Sequence, residues 1–244
     1  TALVEAGATV HLADIDADFQ HLFGSWFNRG FLVMKRIEWS TPAHILEKII
    51  RYEAVHAIES WDDLRRRLEP PDRRCFAFFH PALADEPLIF VEVALTTAIP
   101  EAIGPILAAK REPIEAEDAT TAVFYSISNC QRGLARISFG NFLIKQVAEE
   151  LKRECPGLQT FVTLSPVPGF RRWLAQSLYD LPLEPAERET LAALEADAGE
   201  LAIRAAGPAL RKAAGHYLFT AKGTGGQPRD PVQRFHLGNG ARLE

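Results

Sequence analysis

The chain contains 244 residues, a length that fits one large domain or one domain with a smaller piece attached. Hydrophobic residues make up 47% and charged residues 24%, which is typical of a globular protein with a sizeable buried core. The net charge of -5, without any long basic run, argues against a nucleic-acid partner. No apolar stretch reaches the roughly 18 residues that a membrane-spanning helix requires, so we expect no membrane partner.

The cysteines show neither disulfide-like nor metal-binding spacing. Cys75, Cys130 and Cys155 form no CxxC pair and no cluster with histidine, so the sequence predicts buried free thiols in a reducing compartment. No charged segment followed by an apolar one opens the chain, which favours a cytoplasmic location. Because the chain starts at Thr1 without Met and stops at Glu244, we expect both ends to be cuts.

The first third of the chain is predicted to be mainly helical. Apolar residues recur with helical spacing in residues 14–31, and a short strand is expected at 32–39. Ser40-Thr41-Pro42 is typical of a helix start, with a hydroxyl cap before proline, and this helix is predicted to reach Ala54. Another helix is predicted over residues 60–68.

The middle of the chain is richer in strand-forming residues. β-Branched and aromatic residues dominate Cys75–Phe79 and Leu88–Thr96, which predicts a hairpin joined by a loop at 80–87. A short helix is expected at Pro100–Lys110, and an acidic loop at 111–119.

A strand, a helix and a second strand follow. Thr121–Ile127 predicts a buried strand, Phe139–Arg153 has its apolar residues on one helical face, and Leu158–Ser165 predicts another strand. This order is that of a βαβ unit, which implies parallel pairing of the two strands and a right-handed crossover. Residues 184–221 are then predicted to be helical with breaks at Gly199 and Gly207-Pro208, before a Gly/Pro-rich loop at 223–231.

The loop that enters the helix of this unit is the first candidate ligand site. A helix N-terminus offers free main-chain N–H groups and the positive end of the helix dipole, which suit a pyrophosphate. In Gln131–Asn141, Gly140 permits the close approach of a ligand, and Arg132 and Arg136 can add charge-assisted hydrogen bonds. The segment is neither a GxGxxG motif nor a P-loop, so an ordinary βα loop with a solvated arginine pair remains the alternative.

Ser165 is the second candidate, because it lies at the C-terminal end of a predicted parallel strand, where open α/β sheets place ligands. Pro166 restricts Ser165 to an extended conformation, and Pro168-Gly169 turn the chain. Since Pro166 has no N–H group, it cannot supply the oxyanion-hole donor that follows the serine in a G-x-S-x-G elbow. A serine hydrolase of that type is therefore disfavoured, and a strand-ending serine bonded to its own turn remains the alternative.

His236 is the third candidate. It follows a Gly-rich loop and precedes Gly238-Asn239-Gly240, and flexible flanks suit a residue that is brought to a site. Imidazole titrates in the physiological range and can give a proton to carbon, although a lone histidine is more often structural. The remaining histidines lack a paired spacing such as HExxH, so we expect no metal.

Short segments spread over roughly residues 20 to 241 stand out when they are read in order. They are WFNRGFL (26–32), RYEAVHAI (51–58), WDDLRRRL (61–68), DEPLIFVEVALT (85–96), AVFYSIS (122–128), GNFLIKQVAEELKRE (140–154), LSPVPGF (164–170) and FHLGNGA (235–241). Together these segments closely resemble the malonyl-CoA decarboxylase family, and LSPVPGF and FHLGNGA match its signature segments.

The resemblance implies an α/β fold of the Gcn5-related acyltransferase type, with a mixed, splayed sheet flanked by helices and the acyl-CoA in the cleft. The strand at 121–127, the helix at 139–153 and the strand at 158–165 look like the CoA-binding core of that fold. Residues 1–30 would be the end of an N-terminal helical domain used in assembly, so the resemblance implies a homo-oligomer. Residues 31–244 would be the catalytic acyltransferase-like domain, with its C-terminal end missing.

The resemblance also implies the site residues. The family's catalytic serine, in LSPxPGF, falls on Ser165, and its catalytic histidine, in FHLxNGA, falls on His236. Its acyl-CoA-binding loop falls on Ala135, Arg136, Ile137, Ser138, Phe139, Gly140 and Asn141. Ser138 departs from the family pattern, because some members carry an acidic residue at that position.

The implied activity is the decarboxylation of malonyl-CoA to acetyl-CoA and CO2, a reaction of fatty acid metabolism. Loss of CO2 from a β-carbonyl thioester leaves an enolate, which needs hydrogen-bond donors at the thioester oxygen and an acid for the new methyl group. We expect His236 to supply the proton and Ser165 to hydrogen-bond the malonyl group and to act as the proton acceptor of the pair. CoA is part of the substrate, and no metal, biotin or thiamine cofactor is expected.

Three other activities fit the same residues less well. The first is an acyl-CoA-dependent acetyltransferase on the same fold, which would release CoA only when an acceptor amine is added. An acyl-CoA sensor would bind malonyl-CoA without releasing CO2. A hydrolase using Ser165 and His236 would release free CoA, and the missing N–H group of Pro166 counts against it.

Overall fold

The computed structural model describes residues 10–26, 30–131, 133, 140–196 and 199–243. The chain divides into two compact units, Thr1–Ser165 and Pro166–Glu244, and each is described by itself. The predicted boundary after residue 30, between an N-terminal helical piece and a catalytic domain, stays a prediction. In the part of the chain that the structure describes, no helix is both long and apolar enough to cross a membrane.

The first unit alternates helices and strands. Its helices are α1 (Val10–Trp26), α2 (Ala43–Tyr52), α3 (Trp61–Leu68), α4 (Gly104–Leu107) and α5 (Gly140–Glu154), with a 3-10 turn at Ala116–Asp118. Its strands are β1 (Val33–Arg36), β2 (Arg73–His80), β3 (Leu83–Thr96), β4 (Thr121–Asn129) and β5 (Thr160–Thr163). Ser60 caps α3 by accepting a hydrogen bond from the main-chain N–H of Asp63 at 3.1 Å, as its position in the sequence predicts.

The described strands of this unit form one five-stranded sheet in the order β1-β2-β3-β4-β5. The first three pairings are antiparallel, and β4 and β5 are parallel with α5 between them in the chain. The mixed sheet and the βαβ unit predicted from the sequence are therefore confirmed.

β5 pairs with only the first part of β4. Phe124 and Thr163 are the last paired residues, and the N–H of Leu164 donates to the carbonyl oxygen of Phe124 at 2.9 Å. Beyond that point β4 continues to Asn129 and, among the described strands, pairs with β3 alone. In the same place Tyr125 is an extra residue of β4, because Glu92 pairs with Ser126 while the next residue of β3 pairs with Phe124. Such a bulge bends the strand locally.

Both faces of the sheet are buried, which explains why its strands are continuous apolar runs. One face packs Phe76, Phe78, Val91 and Phe124 against Leu143, Val147 and Leu151 of α5. The other packs Cys75, Ala77, Phe79 and Phe90 against Ile45, Leu46 and Ile49 of α2 and Leu64 and Leu68 of α3. The three cysteines are free and buried, as predicted.

The second unit is helical within its described residues. Its helices are α6 (Phe170–Ser177), α7 (Pro185–Ala196), α8 (Glu200–Ala205), α9 (Gly207–Thr220) and α10 (Pro231–Gly238), with 3-10 turns at Leu178–Asp180 and Thr224–Gly226. Trp173 of α6 and Tyr217 of α9 form the centre of its core, with ring centroids 4.9 Å apart. The predicted break at Gly207-Pro208 is confirmed, because α8 ends at Ala205 and this pair forms the first turn of α9, where proline needs no N–H partner.

Three predictions about the bounds or caps of helices and strands are wrong. The hairpin strands extend through most of the predicted loop, so that Leu83 already pairs with His80. The hydroxyl cap at the start of α2 is absent, because Pro42 holds the cap position and the Oγ1 atom of Thr41 accepts a hydrogen bond from Glu38 instead. The helix predicted over Pro100–Lys110 shortens to α4, whose four residues include one proline.

Candidate active site

The predicted acyl-CoA-binding loop is described only in part. Ala135, Arg136, Ile137, Ser138 and Phe139 lie outside the described residues. Gly140 and Asn141 are the first two residues of α5, so the predicted helix N-terminus after β4 is confirmed as a main-chain feature. The assignment of this loop to acyl-CoA stays a prediction.

The entry to this loop is anchored through Glu86 in β3. Its Oε1 atom accepts hydrogen bonds from the amide of Gln131 at 2.9 Å and from the hydroxyl of Tyr52 at 2.7 Å, and Lys48 pairs with Oε2 at 2.6 Å. Burial alone would raise the pKa of Glu86, but these three donors outweigh burial and lower it. Glu86 is thus a charged anchor at the end of β4.

Ser165 lies where the sequence predicts it, just beyond the end of β5 and at the end of the first unit. The residue before it is the last one that is hydrogen-bonded to β4, so Ser165 stands where β5 leaves the sheet. Its side chain is half-buried. Pro166 and Pro168 follow without N–H donors, which excludes the elbow-type oxyanion hole at this serine.

His236 lies in α10 of the second unit, half-buried and edge-on to the neighbouring ring of Phe235 at 5.1 Å between ring centroids. Burial lowers the pKa of His236 below its ordinary value. The sequence predicts flexible flanks for this histidine, but the structure places it inside a helix. Its carbonyl oxygen accepts the N–H groups of Asn239 and Ala241, both at 3.0 Å. Because burial lowers the pKa of His236, most of its imidazole is neutral at pH 7.

The start of α10 is built by Asp230. Its Oδ1 atom accepts the main-chain N–H groups of Val232 at 2.9 Å and Gln233 at 3.0 Å, and Pro231 occupies the first turn. Its Oδ2 atom lies 3.4 Å from the hydroxyl of Tyr217, a residue of α9. The sequence reasoning missed this cap, although Asp followed by Pro is a recognisable helix start.

Gly169 of the LSPVPGF segment packs against the same two side chains. A β-carbon at this position would lie 2.5 Å from the hydroxyl oxygen of Tyr217 and 3.6 Å from Oδ2 of Asp230. Glycine is required here for close approach rather than for its backbone angles, because its φ of -86° is open to any residue. The segment that follows Ser165 is thereby packed onto the cap of the helix that carries His236.

A buried polar cluster in the first unit was also missed. Glu53, at the end of α2, accepts hydrogen bonds from Ser126 of β4, and Arg67 of α3 pairs with Glu92 of β3 at 3.2 Å. No local motif in the sequence signals this cluster, because its members come from four separate elements. Among the described residues, no group of three or more His, Cys, Asp or Glu side chains could hold a metal ion.

Comparison with known families decides the relationship. Residues 30–244 match the family described as the malonyl-CoA decarboxylase C-terminal domain. The chain belongs to the malonyl-CoA decarboxylase family. The family resemblance carried by LSPVPGF and FHLGNGA is therefore confirmed.

Individual family members match almost the whole chain. The mitochondrial malonyl-CoA decarboxylase of Anser anser anser is 36% identical over 260 residues, which cover 96% of this chain and 51% of that protein. The crystal structure of malonyl-CoA decarboxylase from Rhodopseudomonas palustris is 61% identical, with a TM-score of 0.85, and the match covers 99% of this chain and 60% of that one. The chain thus spans about half the length of the curated relatives it matches and 60% of the solved structure.

The predicted fold class is confirmed as well. The loading GNATL domain of CurA from Lyngbya majuscula aligns with 88% of this chain at a TM-score of 0.50 and 14% identity. At that identity the likeness concerns the fold alone. It agrees with a mixed α/β sheet that is flanked by helices, as in Gcn5-related acyltransferases.

Proposed function

We propose that this chain carries the catalytic part of an enzyme that decarboxylates malonyl-CoA to acetyl-CoA and CO2. The observation that carries the proposal is the segment of β4 beyond Phe124, which pairs with β3 but not with β5, in a chain that belongs to the malonyl-CoA decarboxylase family. The named activity of the relatives supplies the reaction, and the open edge of β4 supplies a place for the substrate.

The open edge suits the pantetheine arm of CoA. Beyond Phe124, β4 is paired on its β3 side, and β5 has left its other side. The two amides of pantetheine are spaced along an extended chain and can hydrogen-bond to such an edge as an added strand does. The diphosphate would then reach the N-terminus of α5 and the loop residues Ala135–Asn141, where main-chain N–H groups and Arg136 favour negative charge.

The reaction requires one proton. Cleavage of the bond between the carboxylate carbon and the α-carbon releases CO2 and leaves its electron pair in the thioester enolate. A proton added to the α-carbon then completes acetyl-CoA. We assign this proton to the imidazolium form of His236, which is left as a neutral imidazole and regains a proton from solvent, and we assign to Ser165 a hydrogen bond to the malonyl group. No metal, biotin or thiamine takes part in this scheme.

Assembly and location belong to the same proposal. We propose that the complete protein is a homo-oligomer that assembles through an N-terminal helical region ending near residue 30, and that it works in the cytoplasm in fatty acid metabolism. The buried free thiols of Cys75, Cys130 and Cys155 support a reducing compartment. Light scattering of the complete protein tests the assembly, and fractionation of the source cells tests the location.

Product analysis tests the activity. The complete protein is incubated with malonyl-CoA, without an acceptor amine and with a chelator present, and CO2, acetyl-CoA and free CoA are measured. We expect acetyl-CoA and CO2 in equal amounts, and we expect Ser165→Ala and His236→Ala to lower kcat by about 100-fold or more while the protein stays folded. Intact malonyl-CoA, or free CoA in place of acetyl-CoA, would contradict the proposal.

A further inference from the structure

The connection between α2 and α3 is held by buried side chains that bind its main chain. The carboxylate of Glu53 accepts the N–H groups of Val55 at 2.7 Å and of His56 at 2.8 Å. The N–H group of Ala54 donates to the hydroxyl of Ser128 in β4 at 3.2 Å. Three successive amides of an irregular segment are therefore satisfied from the protein interior.

The carbonyl groups of the same connection are held by Arg67 of α3. Its guanidinium donates to the carbonyl oxygen of His56 at 2.8 Å and to that of Ala57 at 3.1 Å. The same guanidinium is paired with Glu92 and with Asp63, both at 3.2 Å. With its amides and carbonyls both bound, the connection is a rigid piece of irregular chain.

This rigid connection is hydrogen-bonded to the part of β4 that lies beyond its pairing with β5. Ser126 donates to both oxygens of Glu53, at 2.7 and 2.9 Å, and it lies in β4 beyond the last residue paired with β5, as Ser128 does. The imidazole of His56 has its centroid 6.3 Å from the ring of Tyr125, the extra residue of the bulge. The connection is thus anchored along the segment of β4 that does not pair with β5.

Stability alone does not account for these groups. Glu53 is 8% exposed, Arg67 5% and Glu92 0%, and an apolar cluster of the same volume would hold two helices on a sheet without the cost of burying charge. The Oε1 atom of Glu92 is buried and makes no hydrogen bond with the described residues. What the polar side chains add is a single defined path for the chain from residue 53 to residue 57.

The surface that this path presents is small and uncharged. Ala54 and Ala57 are exposed, and Val55 and His56 are half-buried. Burial lowers the pKa of His56, so its imidazole is neutral at neutral pH. An uncharged surface beside the carboxylate favours loss of CO2, because the negative charge of the carboxylate leaves that group as the bond breaks.

We propose that the connection Glu53–Ala57 forms one wall of the acyl-binding part of the cleft, and that Glu53 is the positioning residue that holds this wall in place. The inference rests on the proposed decarboxylase function and extends it to the part of the chain that meets the acyl group. In this arrangement Glu53 does not touch the substrate. It acts through the main chain of Val55 and His56, whose side chains face the acyl end.

The first test compares Glu53→Ala, Glu53→Gln and the control Glu69→Ala, all in the complete protein. Glu69 is an exposed carboxylate that pairs with Arg65 on the outside of α3. We expect Glu53→Ala to lower kcat/KM for malonyl-CoA by about 10- to 100-fold, the cost of a small misplacement near the reacting group. Affinity for free CoA, which lacks the acyl group, should change by less than about twofold. Glu53→Gln keeps an acceptor oxygen for the two amides and should recover most of the activity.

The second test enlarges the space beside the wall without changing Glu53. Val55→Ala should raise the ratio of kcat/KM for methylmalonyl-CoA to that for malonyl-CoA by about 5- to 10-fold, because a removed methyl pair makes room for the added methyl group. This variant decides the question if Glu53→Ala does not fold. An unchanged ratio, or an equal loss of free CoA affinity in Glu53→Ala, would overturn the inference. Active wild-type protein with unaffected variants refutes the inference alone, whereas inactive wild-type protein refutes the proposed function.

Discussion

The α-carbon of Gly169 packs so closely on Tyr217 that a β-carbon would lie 2.5 Å from the tyrosine hydroxyl oxygen. Tyr217 is fully buried and its hydroxyl faces Oδ2 of Asp230, the cap of α10. Three segments that are distant in the sequence therefore meet at one point of the second unit. They are the turn of LSPVPGF, the helix α9 and the start of the helix that carries His236.

Gly169→Ala is expected to destabilise the protein by about 1–3 kcal/mol, because the added methyl group overlaps the hydroxyl of a buried tyrosine. Urea unfolding measures the change. The control is Gly215→Ala in α9, where a β-carbon meets nothing within 4 Å and where alanine favours the helix. That change should be neutral or stabilising by up to about 1 kcal/mol. If Tyr217→Phe, which removes the hydroxyl, does not reduce the cost of Gly169→Ala, the overlap is not its cause.

Asp230→Ala is expected to cost about 1–2 kcal/mol of stability, because two main-chain amides at the start of α10 lose their acceptor. Asp230→Asn keeps a capping oxygen and should cost only a few tenths of a kcal/mol. The free energy of unfolding and kcat are measured for both. We expect kcat to follow the cap, falling in Asp230→Ala and recovering in Asp230→Asn. Equal activity of the two variants would separate the cap from the function of His236.

Glu92 should make stability depend on pH. Burial, with the nearby Glu53 adding to it, raises the pKa of Glu92 from 4.5 to about 8, and Arg67 opposes the shift. The folded protein then binds a proton that the unfolded chain releases between these two values. Stability from this group is therefore complete below pH 4.5 and is lost as the pH rises to about 8.

Glu92→Gln removes this titration because an amide stays neutral. We expect the free energy of unfolding of the wild-type protein to fall more steeply than that of Glu92→Gln between pH 5 and pH 8. The two slopes should differ by a few kcal/mol at most over this range, on the order set by the pKa shift, and urea unfolding at each pH measures them. Glu69→Gln on the surface of α3 is the matched control. Parallel curves for wild type and Glu92→Gln would show that Glu92 is ionised in the folded protein throughout this range.

The pH profile of activity should carry the signature of His236. Burial lowers the pKa of His236 below its ordinary value of 6.5, so the imidazolium that donates the proton becomes scarcer as the pH rises above that lowered pKa. We therefore expect kcat/KM to decrease from pH 6 to pH 8, and we expect the small residual activity of His236→Gln to lack this slope. A profile that rises over this range would contradict the assignment of His236 as the acid.

The sequence by itself determined the elements whose cause is local. The apolar face of α5, the hydroxyl cap of α3 at Ser60 and the alternation of β4, α5 and β5 follow from residues that are neighbours along the chain. The position of Ser165 at the end of β5 follows from the same alternation. Where the local signal was ambiguous, as in the hairpin turn and at the start of α2, packing and hydrogen bonding elsewhere decided the boundary.

Only the tertiary structure decided which distant residues support the candidate site. Ser126 and Glu53 are 73 residues apart in the chain, yet they form the hydrogen bonds that tie the α2–α3 connection to β4. Gly169 and Tyr217 likewise meet only because α6 and α9 pack around Trp173. Such contacts depend on how helices and strands pack across the whole unit. A sequence pattern records the propensity of each element but not the partner that it meets.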